Sequence, residues 1–426
     1  MCTQPALIQR APSHQSQSQR FVNGEVHDWY RLILGYPDHL VGRLLDEFGA
    51  KPGDQILDPF CGAGTTLVEA MKRGMRATGI DANPSSHFAA RVKTNWELHA
   101  KTLIQCLERV AENYQELVLD AQYQNDPFYK YLQSEGFLHR RWISAKPLRK
   151  IIAIKRAIVR LRTTKEYKNA LLLALIAQTV HGSANVKFGP ELYCGTSKRD
   201  SPVFPGFRKR LEKMASDLAL VRTLTHGSAN VTLGDARNCG RVLDRGQKFS
   251  ALISSPPYPA EHDYTRNARL ELALLGAVID RESLRGIKVG MIRSHTKGIY
   301  KGDSDGALVA GHPEIERIAR ILDRKAKSKT YGFARLYSTV LREYFGGMKR
   351  HFASVRSFLA PDALCAYVVG DQSSYLRVYI PTAEILSSLA HEVGYKTLEI
   401  RHWRSRWSTT TSRTVAENIL ILGPRR

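Results

Sequence analysis

Two short segments of this 426-residue chain carry residue types suited to catalysis: Asp58-Pro59-Phe60-Cys61-Gly62-Ala63-Gly64-Thr65-Thr66 and, far downstream, Ser255-Pro256-Pro257-Tyr258. In the first, Gly62 and Gly64 can take positive φ and leave no Cβ between backbone N–H groups and a ligand. A helix starting at Thr65 and Thr66 adds oriented N–H donors. A phosphate-binding loop would put a lysine at that helix start; here threonines stand there, and a carboxylate precedes the loop. The loop therefore suits a cationic, phosphate-free ligand. Asp58 is expected to face its ammonium or sulfonium side, and Asp81 to accept from ribose hydroxyls. Cys61 reads as a small packing residue.

The second segment suits an amino group. The lone pair of an exocyclic amine on a nucleic-acid base is delocalised into the ring, so the nitrogen must be rotated toward tetrahedral geometry before it can attack. Two acceptors that take its hydrogens do this: the Ser255 hydroxyl oxygen and the Pro256 carbonyl. Pro256 and Pro257 fix φ and remove N–H donors, so the acceptors sit in a stiff frame. Tyr258 can stack on a base flipped out of a duplex. No covalent intermediate and no metal is required. The two segments together point to transfer of a methyl group from S-adenosyl-L-methionine to an exocyclic base amine.

The elements that must position these residues follow from the surrounding pattern. Gln55–Asp58 reads as a strand, Thr65–Arg73 as a helix, and Ala77–Asp81 as a second strand ending in an acid, the pattern of a dinucleotide-type βαβ unit. Trp29–Phe48 carries apolar residues at helical spacing and reads as one or two short helices. A long helical stretch follows, clearest over 85–118, 147–163, 166–181 and 208–224, the last behind a basic turn Lys198–Lys213; it reads as an inserted helical subdomain. Val231–Asp235 and Ala251–Ser254 read as further strands, the latter running straight into Ser255. Helices then alternate with polar loops, interrupted over Arg285–Arg335 by a stretch rich in Gly, Lys, Arg and Ser. The end returns to strand 363–369, helix 381–393, and strands 397–403 and 417–422 joined by an Arg-rich loop 404–414. The expected layout is a disordered tail at 1–24, a cofactor-binding part at 25–97, a helical insertion at 98–228, a catalytic part at 229–284, an irregular basic region at 285–335 and the end of the sheet at 336–426.

Composition narrows the partner. A formal net charge of +23, from 63 Lys+Arg against 40 Asp+Glu, suits a polyanion such as nucleic acid, because neutralised phosphates release condensed counterions. No apolar run approaches the roughly 18 residues of a membrane span. The opening segment lacks a secretory apolar core. The six cysteines include no C-x-x-C pair and no zinc-finger spacing, which argues against a structural metal and suits reduced, intracellular thiols. None follows a proline, which argues against cytosine methylation at carbon 5 through a Pro-Cys nucleophile.

At these residues the chain resembles the amino-group DNA methyltransferases, which methylate cytosine N4 or adenine N6. The resemblance implies an α/β class I methyltransferase fold: Rossmann-like, with a mostly parallel seven-stranded sheet, a C-terminal β-hairpin and, here, an inserted helical subdomain. It implies S-adenosyl-L-methionine as cofactor, with Asp58, Pro59, Phe60, Gly62, Gly64 and Thr65 in the cofactor loop, Asp81 as the ribose-binding acid and Asp235 near the adenine amine. Ser255, Pro256, Pro257 and Tyr258 match the catalytic turn; serine in its first position resembles the cytosine-N4 subgroup. The segment from Asp28-Trp29-Tyr30 through Tyr36-Pro37 resembles an aromatic element that closes over the cofactor. The implied substrate is double-stranded DNA in a bacterial or archaeal cytoplasm, with a restriction endonuclease as a possible partner. Adenine-N6 methylation, RNA-base amine methylation and a catalytically silent DNA-binding module are the competing readings.

Candidate DNA contacts come from basic clusters. Glu261–Arg266 mixes hydrogen-bonding and aromatic groups just past the catalytic turn. The first choice for target recognition is Arg285–Arg335, with Arg293, His295, Lys297, Lys301, Arg324, Lys325, Lys327 and Lys329. Arg401, Arg404, Arg406 and Arg413, interleaved with Trp403 and Trp407, suggest a phosphate-contacting edge. The inserted helices offer Lys198, Arg199, Arg208, Lys209 and Arg210.

Overall fold

The computed structural model describes residues 24–32, 35–188, 192–224, 226–329, 332–408 and 413–425, so all but Gly24 of the expected tail lies outside the described residues. Its centre is a seven-stranded sheet of order β5-β2-β1-β6-β7-β9-β8. The strands are β1 (Gln55–Asp58), β2 (Arg76–Asp81), β5 (Ser228–Leu233), β6 (Phe249–Ser254), β7 (Leu359–Gly370), β8 (Tyr395–Ser408) and β9 (Arg413–Pro424). The first five run parallel, and β8 and β9 form an antiparallel hairpin on the β7 edge. This is the class I methyltransferase fold, as expected. A small antiparallel pair, β3 (Val186–Phe188) and β4 (Leu192–Cys194), lies apart.

The helices before the sheet's second half are α1 (Asp38–Glu47), α2 (Thr65–Lys72), α3 (Pro84–Lys93), α4 (Ala100–Leu117), α5 (Pro127–Ser134), α6 (Ala145–Arg160), α7 (Lys165–Gln178) and α8 (Val203–Val221). The single helix expected over 85–118 is two, because Asn95–His99 breaks it with Trp96 and Leu98 buried in the gap. Helices α4, α6, α7 and α8, which lie between β2 and β5 along the chain, bury stripes of Leu, Ile and Val against one another, such as Leu103, Leu107 and Val110 on α4, and make one core. A second core lies under β6 and β7 and a third under α1 and α2. The basic turn expected before 208 is instead the first turns of α8. Arg208 is fork-bonded to Glu108 of α4, Arg210 bonds Gln178 of α7, and Lys198 donates to the carbonyls of Gly182 and Ala184. These cations tie helices together.

The stretch 285–335 is more regular than its composition suggested. It contains the end of α11 (Arg281–Val289), which follows the short α9 (Tyr264–Asn267) and α10 (Arg269–Leu274), and all of α12 (Pro313–Lys327). Asp280 and Ser283 form a capping box for α11; Pro313 opens α12 behind the His312 side chain. Ile315, Ile318, Ala319, Leu322 and Ala326 recur at helical spacing and are buried, a stripe that the surrounding Gly and Lys obscure. Arg293 is buried with both outer nitrogens engaged, pairing with Asp303 at 2.6 Å, and His295 is buried beside Asp263. Neither is available to read DNA. Arg320, Arg324 and Lys327 remain exposed on α12. Helices α13 (Tyr337–Arg356) and α14 (Thr382–Glu392) complete the sheet's cover. The expected 404–414 loop is also shorter, since β8 continues to Ser408 and β9 begins at Arg413.

The N-terminal aromatic segment is pinned to α8. Asp217, 2% exposed, accepts from the Val26 backbone N–H at 3.1 Å and from Trp29 Nε1 at 2.9 Å. Asp217→Ala would leave two buried donors unmet and should cost on the order of 1–3 kcal/mol in urea unfolding. A change within experimental error would mean that Trp29 is held by packing alone.

Candidate active site

The carboxyl ends of the five parallel strands open on one cavity of about 600 Å³. Such crevices form where the strand order reverses, here on either side of β1. Pro59, Phe60 and Gly62 reach it from β1, Asp81 and Asn83 from β2, Asp235 from β5, and Ser255, Pro256, Pro257 and Tyr258 from β6. The two segments singled out in the sequence therefore meet, almost two hundred positions apart in the chain. Gly64 and Thr65 do not line this cavity: Gly64 caps α2 at φ +84°, with Ala90 3.2 Å from where a Cβ would stand, and Thr65 faces a smaller neighbouring cleft.

Asp58 departs from expectation. Its carboxyl is wholly buried and does not line the cavity; Ser254 Oγ donates to Oδ1 at 2.6 Å and Tyr36 OH to Oδ2 at 2.8 Å. Tyr36 OH also bonds Thr66 Oγ1, which donates to the Ile253 carbonyl at 3.2 Å. At the end of β1, beside the end of its neighbour β6, this carboxylate takes the Ser254 hydroxyl and so locks the two loops together instead of facing a ligand. Burial raises its pKa, against the pull of those hydrogen bonds.

Asp81 does face the cavity. Its oxygens accept from Gly62 N at 2.8 Å and Asn83 N at 2.7 Å, holding the glycine loop against β2. Burial pushes its pKa up to about 7 even with those two donors. Asp235 lines the cavity with its carboxylate forked by the Arg237 guanidinium at 2.8–3.0 Å. Cys61 is buried, with its thiol pushed well up by burial, in keeping with a packing role.

Around the catalytic turn, Ser255 Oγ lies 3.5 Å from Tyr258 OH, and Tyr258 N donates to Tyr264 OH at 3.1 Å. The following Glu261 sits at φ +55° and is clamped to a segment far downstream: its N–H donates to the Ser294 carbonyl and its carboxylate accepts from Thr296 N. Ser294 Oγ donates to the His262 carbonyl. Residues 294–296 thus brace the catalytic loop. Lys288 pairs with Asp263 at 2.6 Å, and burial pushes the neighbouring His295 down to about 4.

The rest of the cavity wall was foreseen in part. Tyr30, Leu32, Gly35 and Tyr36 of the aromatic segment line it, as that segment's resemblance implied. Glu271 does too: it is 3% exposed, accepts from Tyr30 OH at 2.9 Å and has no cation partner among the described residues. Burial pushes it up to about 7. Its only sequence signal was an acid among the apolar residues of α10. Trp403, Arg404, Arg406, Trp407 and Glu417 form the opposite wall. The arginine edge expected to meet phosphates is therefore turned inward in part. Arg404 bonds Glu417, while Arg401 pairs with Glu47 and Glu399 on the surface; nothing is described of the Arg413 side chain. A cavity with the carboxyls of Asp81 and Glu271 in its wall, no lysine at the α2 start and glycine at φ +51° in the loop fits a cationic nucleoside such as S-adenosyl-L-methionine. In that fit Gly62 and Asp81 hold the nucleoside side.

Residues 13–91 match a family model described as a DNA methylase, of the N6/N4 kind. The chain is 23% identical over 433 residues to the type II methyltransferase M.BsoBI of Geobacillus stearothermophilus, covering 90% of this chain and 81% of that protein. It is 22% identical over 413 residues to M.AvaI of Nostoc sp., covering 91% and 84%. Among solved structures, an rRNA methyltransferase, aviRa, from Streptomyces viridochromogenes aligns over 95% of this chain and 94% of its own at 12% identity, with a TM-score of 0.32, too loose to bear on function. Motifs, fold and relatives agree on a DNA methyltransferase of the amino-group kind that uses S-adenosyl-L-methionine. Among the described residues no helix is long and apolar enough to cross a membrane, and the five described cysteines are free thiols.

The Glu271 carboxyl is easier to protonate in the folded protein than in the unfolded chain. Its stabilising contribution is complete below its ordinary value of 4.5 and is lost as pH rises through about 7. Glu271→Gln keeps an acceptor for Tyr30, so its stability relative to the parent should rise between pH 5 and pH 8 by the order of 2 kcal/mol in urea midpoints. A flat or falling difference would contradict a desolvated carboxyl.

Proposed function

We propose that the protein is a site-specific DNA methyltransferase acting on cytosine N4 of a base flipped out of double-stranded DNA. The observation that carries this reading is the single cavity on which Gly62, Asp81 and Ser255 all open. S-adenosyl-L-methionine, when bound, supplies an electrophilic methyl group on sulfonium. The chain's own residues do the rest. Gly62 lets the backbone approach the cofactor, and Asp81 takes its ribose hydroxyls. Asp235, next to the cofactor's base, keeps one face toward the cavity beside Arg237.

Ser255 Oγ and the Pro256 carbonyl accept the two amine hydrogens, turning the nitrogen lone pair toward the methyl group. Pro256 and Pro257 keep those acceptors from drifting, which matters because small misplacements of reacting atoms cost rate steeply. Tyr258 and Tyr264 offer ring faces for the displaced base. Serine heading the turn supports cytosine N4 over adenine N6, where Asp or Asn is commoner in the enzymes this chain resembles. The exposed Arg320, Arg324 and Lys327 on α12, within a strongly basic chain, support a DNA phosphate contact there. Residues 25–97, 229–284 and 336–426 make the methyltransferase part in this reading, and 98–228 an insertion that braces it.

Incubation with DNA and S-adenosyl-L-methionine, followed by digestion to nucleosides and mass analysis, should yield N4-methylcytosine; 6-methyladenine alone would overturn the choice of base. Ser255→Ala should lower turnover roughly 10²-fold with cofactor affinity nearly unchanged. A large loss of cofactor affinity would mean that Ser255 serves the cofactor and not the amine.

A further inference from the structure

The hairpin wall of the cavity holds an unusual charge arrangement. Glu417 on β9 is 4% exposed and faces two guanidinium groups of β8. Arg404 Nε donates to one carboxylate oxygen, and its guanidinium lies 4.1 Å from the Trp403 ring centroid. Arg406 is held differently. Its Nε sits 2.9 Å from Glu417 Oε1 but outside hydrogen-bonding angle; Nε and Nη2 are shielded from solvent, and neither has a hydrogen-bond partner among the described residues. The third nitrogen, Nη1, has no hydrogen bond among the described residues and is not among the shielded atoms, in a side chain 36% exposed that lines the cavity.

The Arg406 guanidinium also lies 5.8 Å from the Tyr258 ring centroid. Both press on Gly370 at the end of β7, where a Cβ would come within 3.0 Å of Arg406 Nη2 and of Tyr258 Cε2. The backbone therefore makes room for an arginine beside the catalytic tyrosine, anchored by a carboxylate but with its donors unspent. Desolvated donors of that kind are costly unless a ligand meets them.

We propose that Arg406 reads the flipped base, donating to the ring nitrogen N3 and carbonyl oxygen O2 of a cytosine whose amino group is held at Ser255, with Glu417 fixing the guanidinium's orientation. This rests on the cytosine-N4 reading and deepens it. Beyond its amino group, cytosine presents two adjacent acceptors along its pairing edge, which suit the forked donors of a guanidinium. Adenine presents one acceptor there and then a C–H, so the same fork would stay half unmet, and buried groups left unpaired are what make such sites discriminate. A backbone phosphate is the less suitable occupant, because phosphates stay at the rim of a flipping site while two of the three Arg406 nitrogens are solvent-shielded beside Tyr258.

The test begins with the parent enzyme and its mapped target duplex. Arg406→Met and the conservative Arg406→Lys are then compared with it for kcat/KM, for S-adenosyl-L-methionine affinity, and for the salt dependence of DNA binding. A loss of about 10–100-fold in kcat/KM, with cofactor affinity and salt slope unchanged, is expected for Arg406→Met and a smaller loss for Arg406→Lys. Replacing the target cytosine by 3-deazacytosine, which lacks the N3 acceptor, should cost the parent about tenfold and Arg406→Met little. Equal analogue losses in parent and variant would overturn the inference, as would a salt slope reduced by about one with no analogue effect, which marks a phosphate contact. Should Arg406→Met not fold, the same analogue comparison on Arg406→Lys decides. A parent product of 6-methyladenine sinks the underlying reading before any variant is made, so the two failures are told apart.

Discussion

The parallel pairing of β1 with β6, locked by a buried carboxyl, is the constraint on which the site depends. Asp58 at the end of one strand takes the Ser254 hydroxyl at the end of the other at 2.6 Å, and Tyr36 and Thr66 close the network around it. The residues immediately after each strand, Pro59 through Gly62 and Ser255 through Tyr258, are thereby delivered to the same cavity. A polar network of this kind is stiff when fully satisfied, because each desolvated group has a partner that water can no longer replace. That stiffness suits a reaction in which two groups must be held at a fixed separation.

The cavity itself is polar in an organised way. On the β2 and α10 side, half-buried Asp81 and buried Glu271 have no cation partner among the described residues and prefer to hold a proton up to about pH 7. On the hairpin side, two guanidinium groups share one carboxylate. In the function proposed, a cationic cofactor relieves the first wall and an acceptor-rich base the second, with the serine-proline turn between them.

Bracing comes from places that look like recognition elements in a linear reading. Arg293, His295, Arg208 and Lys198 are cations among Gly and Ser or beside helices, yet they pair with Asp303, Asp263, Glu108 and backbone carbonyls. A positive charge in a sequence says nothing about which acid or carbonyl the fold will bring to it. The α12 stripe was hidden for a related reason: its apolar residues are spaced by charged ones, and only the buried face reveals the period.

The glycine loop, the serine-proline turn, the acid-ended strands and the closing hairpin were legible from residue types alone, because each depends on local backbone freedom, local stiffness or alternation within a few positions. The fold class and the aromatic segment that lines the cavity came with the family resemblance that those residues carry. Folding alone settled which acids face the cavity and which serve the frame: Asp81 faces the cavity, Asp58 is spent on Ser254, Glu271 joins from a helix that showed no sign of it, and Arg406, expected at a phosphate-contacting edge, turns to the cavity wall. Those assignments turn on contacts between residues far apart in the chain, where burial and partner choice, and not residue type, set the energy of a charge.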